Sequence, residues 1–268
     1  MVSQHTLAVI IRASGENTLK ALIKIIKKQL LPEDVLVVLE KEVCFEDKLK
    51  LGFQKAIELN KDFTVFIDAD ILLRKNALRK VRENLHRLEV KDFGFGFLLF
   101  DRFYEEPKFR GFHVYRTEIL KKAINFVPNE GEQLRPETFV KNQLKKEGYT
   151  WQNHLTRYVA GIHDFYQSPK DIFYKYLVRG KRSQNDIDGL IRKFEKSNVD
   201  DFAIALEGIQ ASKKMDSISN NKYLYNNSEN NFRSVKIIDL DKLNVDIITI
   251  HNLFKKYKFN SLFWKSLA

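Results

Sequence analysis

An α/β fold, with a mostly parallel sheet covered by helices on both faces, is predicted by three features of this chain. Short apolar runs rich in branched residues recur within the first 90 residues, at Leu7–Ile11, Val35–Leu39 and Phe63–Ile67. Each is followed by a segment whose apolar residues recur at helical spacing. Strands that are apolar on both faces need cover on both sides of a parallel sheet, and the intervening amphipathic helices supply it. From Ser168 onward the pattern is helical, which adds a mainly helical C-terminal extension. The expected division is an α/β domain over 1–182 and a helical extension over 183–268, with an Asn-rich loop near 217–234.

The elements can be taken in order. LAVII is short, continuous and branched, so Leu7–Ile11 reads as a buried strand. SGEN breaks it, with Ser14 or Asn17 able to cap the next helix. Thr18–Leu30 carries Leu19, Leu22, Ile23, Ile26 and Leu30 at helical spacing, and Leu31-Pro32 ends that helix. Val35–Leu39 and Phe63–Ile67 are the second and third strands, with helices over Asp47–Leu59 and Asn76–Leu88. Right-handed crossovers put the ends of these three strands on one edge of the sheet. Ligands of open α/β sheets bind at that edge. Arg12, Glu40 and the pair Asp68 and Asp70 each come just after a strand and should gather in one crevice.

Beyond residue 90 the pattern changes. FGFGFLLF, over Phe93–Phe100, is apolar with two glycines that suggest close backbone approach. Gly111–Tyr115 reads as a short strand, Glu118–Phe126 and Thr138–Glu147 as helices, and Tyr149–Trp151 as the start of a strand after the Gly148 stop. Helices are expected over Ile172–Val178, Asp186–Lys196, Asp201–Ser212 and Ile250–Leu267. No internal repeat is present.

The net charge of +11 favours an anionic partner. The basic residues are scattered and form no block, which argues for a solvated face and against nucleic acid. Cys44 is the single cysteine, so an internal disulfide and a thiolate metal cluster are excluded. A reducing compartment fits. The N-terminal stretch lacks the charged lead of a signal peptide, and no run reaches the ~18–20 apolar residues of a membrane span. A cytoplasmic protein is expected, with peripheral contact at the inner face of the membrane as an option. The basic tail that bears Phe254, Tyr257, Phe259, Phe263 and Trp264 is the segment suited to anionic lipid.

The most informative stretch is TVFIDADILL, Thr64 to Leu73. A helix cap and a turn explain one of its acids and leave the other without a reason. Carboxylates this close repel each other unless one is protonated or a cation bridges them. A hard divalent ion such as Mg²⁺ or Mn²⁺ takes oxygen ligands and shares them with substrate phosphates.

FTVFIDADILL resembles the strand and D-x-D signature of the GT-A fold glycosyltransferases that use nucleotide-diphospho-sugars, near the family 2-like group. KLKLGFQKAIELNKDF resembles the helix leading to that strand. GFHVYRTEILKKAINF resembles the strand, Arg and helix after the acceptor loop. RPETFVKNQLKKEGYTWQ resembles the acidic E-D-T stretch with its helix and Gly turn, and YVAGIHDFYQS the late strand ending in a metal-binding His. The match runs from about residue 5 to about residue 182.

The resemblance implies roles. Asp70 would ligate the metal, Asp68 would touch the metal or the ribose, and His163 would be the third protein contact to the metal. Arg12 and Glu40 would lie at the nucleoside, and Asp68 also belongs to the donor site. Glu137 stands where the catalytic base is expected, although Pro136-Glu137-Thr138 replaces Glu-Asp-Thr, and Glu130 and Glu132 compete for that role. Lys181, with Arg179 and Arg182 in VRGKRS, could close over the donor phosphates. His113 and His154 read as structural. The implied activity is a metal-dependent hexosyl or related transfer, with inversion, from a UDP- or GDP-sugar to a saccharide or lipid-linked acceptor, in glycan or glycolipid synthesis of the cell envelope. The alternative is a non-catalytic nucleotide-sugar or glycan binding protein on the same scaffold. A dehalogenase-like phosphatase would carry its D-x-D on the first strand, and a nucleotidyltransferase would need a Gly-rich loop where IIRASGEN has one Gly.

Overall fold

The structure, a computed structural model, describes residues 5–215 apart from 154, 156, 157, 182, 183 and 198. The Asn-rich loop, the Ile250–Leu267 helix, the aromatic tail, His154 and Arg182 lie outside the described residues.

The expected alternation is present: β1 (Leu7–Ala13), α1 (Leu19–Lys27), β2 (Val35–Glu40), α2 (Phe45–Leu59), β3 (Phe63–Asp68), β4 (Ile71–Leu73) and α3 (Ala77–Leu85). Next come β5 (Asp92–Asp101), β6 (Glu106–Arg116), α4 (Thr117–Ala123), α5 (Pro136–Lys146), β7 (Thr150–Gln152) and β8 (Val159–His163). Three helices close the described chain: α6 (Pro169–Arg179), α7 (Gln184–Glu195) and α8 (Asp200–Lys213).

Local chemistry sets the helix ends. Thr18, not Ser14 or Asn17, takes the position before α1, and its hydroxyl donates to the Ala69 carbonyl instead of capping the helix. The Cys44 thiol accepts from the Asp47 amide at the start of α2, whose first turn carries Glu46 and Asp47 against the helix dipole. Ser168 caps α6 by accepting from the Asp171 amide at 3.1 Å, with Pro169 in the first turn.

The strands form one mixed sheet in the order β2-β1-β3-β6-β5-β8-β4, with β7 paired to β5. Its first half is parallel, as the apolar runs predict. β6 then enters antiparallel between β3 and β5, because the short β5–β6 turn can join only antiparallel neighbours. β4 is a three-residue edge strand, antiparallel to β8, which the sequence pattern does not signal.

One core lies between the sheet and α1 and α3, built on Val9, Ile11, Leu22, Ile26, Val65, Ile67, Leu78 and Val81. The other face carries Ile10, Phe53, Phe66, Phe93, Tyr115, Leu120, Val140 and Leu144 under α2, α4 and α5. The close approach inferred for FGFGFLLF is real at Gly94, where a side chain would strike the Val114 carbonyl and the Trp151 ring. A third cluster packs Phe103, from the β5–β6 turn, against α6, α7 and α8 through Tyr176, Leu190, Phe194, Phe202 and Ile209. The helical layer therefore begins at α6, before residue 182. α6 and α8 nearly touch by backbone, because a Cβ on Gly208 would strike the Phe173 carbonyl oxygen. Among the described residues, no helix is long and apolar enough to cross a membrane.

Candidate active site

The cavity of about 460 Å³ at the C-terminal edge of β1 and β3 collects most of the charged residues singled out in the sequence. Arg12, Asp68, Asp70, Glu137, His163 and Arg179 line it, together with Lys48, Arg110, His113, Gln167 and Lys175. Glu40 and Lys181 do not. Strand register explains the first: Leu39, not Glu40, shares the row with Arg12 and Asp68, and Glu40 is exposed on the edge strand β2. Lys181 donates to the Met215 carbonyl and ties the end of α6 to the end of α8. Glu132 bonds Asn129 in a surface turn, and neither it nor Glu130 reaches the cavity.

Asp68 and Asp70 meet different cations. Arg12 Nε donates to Asp68 Oδ1 at 2.8 Å, while its two terminal nitrogens lie 3.5 Å from Glu137 Oε2. The guanidinium carbon lies 5.3 Å from the centre of the Phe45 ring and 5.7 Å from that of Phe66, within cation–π range. Burial, with Asp70 and Glu137 nearby, pushes the Asp68 carboxyl up to about 6 despite Arg12.

Asp70 faces α6. Its Oδ2 accepts from Lys175 Nζ at 2.7 Å and Gln167 Nε2 at 3.2 Å, and lies 3.5 Å from His163 Nε2. Lys175 also pairs with Asp164, so one ammonium bridges two carboxylates. The residue after β8 is thereby drawn in. Asp164 is left-handed at φ 62, and its amide donates to the Asp70 carbonyl. Such backbone strain in a non-glycine residue is tolerated where surroundings over-determine it. Register brings these groups together: His163 pairs with Ile71 on β4 and with Asp101 on β5.

His163 is held from behind. Its Nδ1 lies 3.1 Å from Asp101 Oδ2 and 3.2 Å from Asp164 Oδ2. Burial disfavours the imidazolium, but Asp164 and Asp70 outweigh it and raise His163 to about 9. Burial likewise works against Asp101, yet the His163 hydrogen bond and charge bring it down to about 2.

One oxygen each from Asp70 and Asp164 and a nitrogen of His163 lie within 4.8 Å of one another. Asp70 Oδ1 is buried with no hydrogen-bond partner among the described residues. Two carboxylates, an imidazole backed by a carboxylate and an unused acceptor suit a divalent cation. Such an ion must take the place of the Lys175 ammonium and of one His163 proton, since an imidazolium has no lone pair to offer. Asp164 and Lys175 were open to sequence reasoning, since Asp164 adjoins His163 directly and Lys175 and Arg179 share a helix face at i, i+4.

On the opposite wall Glu137, in the first turn of α5, faces β6. Its Oε1 accepts from Tyr115 OH at 2.7 Å and lies 2.9 Å from His113 Nδ1. Burial opposes its charge, but His113, Arg12 and Lys141 hold the carboxyl well below the usual range. Between the walls lies Gly111, at φ +41, where a Cβ would sit 2.5 Å from Asp68 Oδ2. Gly111→Ala is expected to strain β6 at this positive-φ position and to drive Asp68 off Arg12. Unfolding should show a loss of about 1–3 kcal/mol, and an unchanged Tm would mean that Asp68 moves freely.

The chain matches no protein-family description, and it matches no curated protein. It is similar to solved structures. One is the catalytic domain of Drosophila β1,4-galactosyltransferase 7 in complex with xylobiose, at 17% identity and a TM-score of 0.40, covering 60% of this chain and 68% of that one. Another is S. aureus TarS 1–349, at 11% identity and a TM-score of 0.44, covering 76% and 70%. The same TarS segment in complex with UDP-GlcNAc gives 13% identity, a TM-score of 0.37 and coverage of 76% and 71%.

Proposed function

We propose that the protein is a divalent-cation-dependent glycosyltransferase that moves a sugar from a nucleotide-diphosphate donor to an acceptor hydroxyl. The supporting observation is the cluster of Asp70, His163 and Asp164 at the sheet edge, in the same cavity as Lys175, Arg179 and Arg110. Acidic ligands beside a ring of cations suit a cation that carries a diphosphate.

Asp70, Asp164 and His163 would hold the cation, which supplies Lewis-acid stabilisation of the charge that develops on the departing diphosphate. Lys175, once displaced from its two carboxylates, is free to donate to a phosphate oxygen, and Arg179 stands one turn along α6. Asp68 and Arg12 form the row next to the cluster and would receive the nucleoside. Glu137 and the groups bonded to it form the wall where an acceptor hydroxyl would lose its proton. The donor class is a UDP- or GDP-sugar, and the acceptor a saccharide or lipid-linked hydroxyl.

The test is a thermal-shift screen of UDP- and GDP-sugars, each with and without Mn²⁺. A ligand at 100 times its Kd stabilises by about 2.7 kcal/mol. A shift for one nucleotide that needs the metal is expected, and no shift for any of them defeats the proposal. The saturation of Glu137 by donors favours one second reading, a protein that binds a nucleotide-sugar without transferring it. Donor binding without turnover would select that reading.

A further inference from the structure

The residue placed to take the acceptor proton is not the acid that the motif supplies. Both Glu137 oxygens are engaged: Tyr115 and His113 on Oε1, and the two terminal nitrogens of Arg12 on Oε2. A carboxylate stabilised by so many donors gains little from a proton, and its place is that of a fixed negative charge. His113, two residues along β6 from Gly111, stands in front of it. Its ring also lines the cavity. Because Nδ1 faces a standing carboxylate, that nitrogen carries the hydrogen and Nε2 is left as the basic atom. Nε2 has no hydrogen-bond partner among the described residues. The ring is flanked on several sides: Trp151 and Tyr115 lie near-perpendicular to it with ring centres 5.6 Å and 6.5 Å away, and at Gly96 a Cβ would press on Cδ2 at 3.3 Å.

We propose that His113 Nε2 is the catalytic proton acceptor and that Glu137 is a positioning residue behind it. The inference rests on the transferase reading. In the step, the acceptor hydroxyl oxygen forms a bond to the anomeric carbon of the donor sugar. The bond from that carbon to the phosphate oxygen breaks, and its electron pair leaves with the nucleoside diphosphate. The hydroxyl proton passes to Nε2, and the imidazolium that forms faces the Glu137 carboxylate until the proton goes to water. Burial brings His113 down to about 4 despite Glu137, so the ring is neutral at neutral pH. It becomes an effective acceptor only as the hydroxyl grows acidic in the transition state, with Glu137 facing the imidazolium that forms.

The experiment uses the full chain with the UDP- or GDP-sugar selected by the thermal-shift screen, and reads release of the nucleoside diphosphate with water as the acceptor. His113→Asn keeps a donor towards Glu137 but has no basic nitrogen, and His113→Ala removes both. Both should keep the donor-induced thermal shift. kcat should fall about 100- to 10000-fold, and added imidazole should restore part of the His113→Ala loss. Glu137→Gln should cost no more than the His113 variants, up to about 10000-fold, since an amide nitrogen can donate to Nδ1 and leave the hydrogen on Nε2. A larger loss for Glu137→Gln than for His113→Asn, with no rescue by imidazole, overturns the proposal and makes Glu137 the base. Wild-type activity matched by both His113 variants also overturns it. A wild-type protein that binds the donor and never releases the diphosphate overturns the transferase reading itself, and the proposal with it.

Discussion

Asparagine in place of Asp70 is expected to weaken Mn²⁺ binding sharply and to slow transfer about 1000-fold. Asp70 gives the cluster a bound oxygen facing Lys175 and His163, and a second, buried oxygen with no hydrogen bond among the described residues. The amide would keep the shape and lose the charge, so the remaining Asp164 and His163 would hold a divalent ion only weakly. Titration of Mn²⁺ followed by its electron paramagnetic resonance reads binding without any need for turnover. The same Mn²⁺ affinity in Asp70→Asn and wild type would mean that the cation site lies elsewhere. Asp68→Asn is the companion variant. Its partner is Arg12, so it should weaken donor binding while leaving Mn²⁺ bound.

Lys175→Met is expected to have opposite effects on stability and on metal affinity. The ammonium bridges Asp70 and Asp164, and burial works against the Asp164 charge that His163 and Lys175 sustain. Removing one partner of a buried ion pair strands the other, at a cost of about 3 kcal/mol. In EDTA the Tm should fall by roughly 6–12 °C. Mn²⁺ should restore much of that loss and should bind more tightly than to wild type, because no lysine has to be moved. A variant with wild-type Tm in EDTA and wild-type Mn²⁺ affinity would show that the Lys175 bridge holds neither carboxylate.

Sequence reasoning reached the parallel half of the sheet because β1 and β3 are buried on both faces, and unbroken apolar runs leave few alternatives. It also reached the crevice, since strand ends share an edge whatever the side chains are. It went wrong on direction. Glu40 lies at a strand end like Arg12, yet it is one residue out of the row that faces the cavity, and a period of two turns one residue into the other face. The mixed half was less legible. β6 begins with Glu106-Pro107-Lys108, half-exposed and polar, so only its buried end at Gly111–Tyr115 carries a strand signal. The partners of Glu137 were hidden for a different reason. His113 and Tyr115 alternate on one face of β6, and nothing local says that α5 will lie across that face.

Helix α6 has two allegiances. One side carries Lys175 and Arg179 into the cavity, while Ile172 and Tyr176 are built into the helical layer with Phe103, and the backbone is pressed against α8. Arg102 in the β5–β6 turn fastens α8 from another side through Asp201 at 2.6 Å. A close-packed helix moves as a rod, so a displacement at one side is felt at the other. The charge balance at Asp70 is therefore set in part by packing remote from it. Whatever grips or releases α8 would act as a lever on the lysine, and would alter the affinity of the proposed cation site without touching any of its three residues.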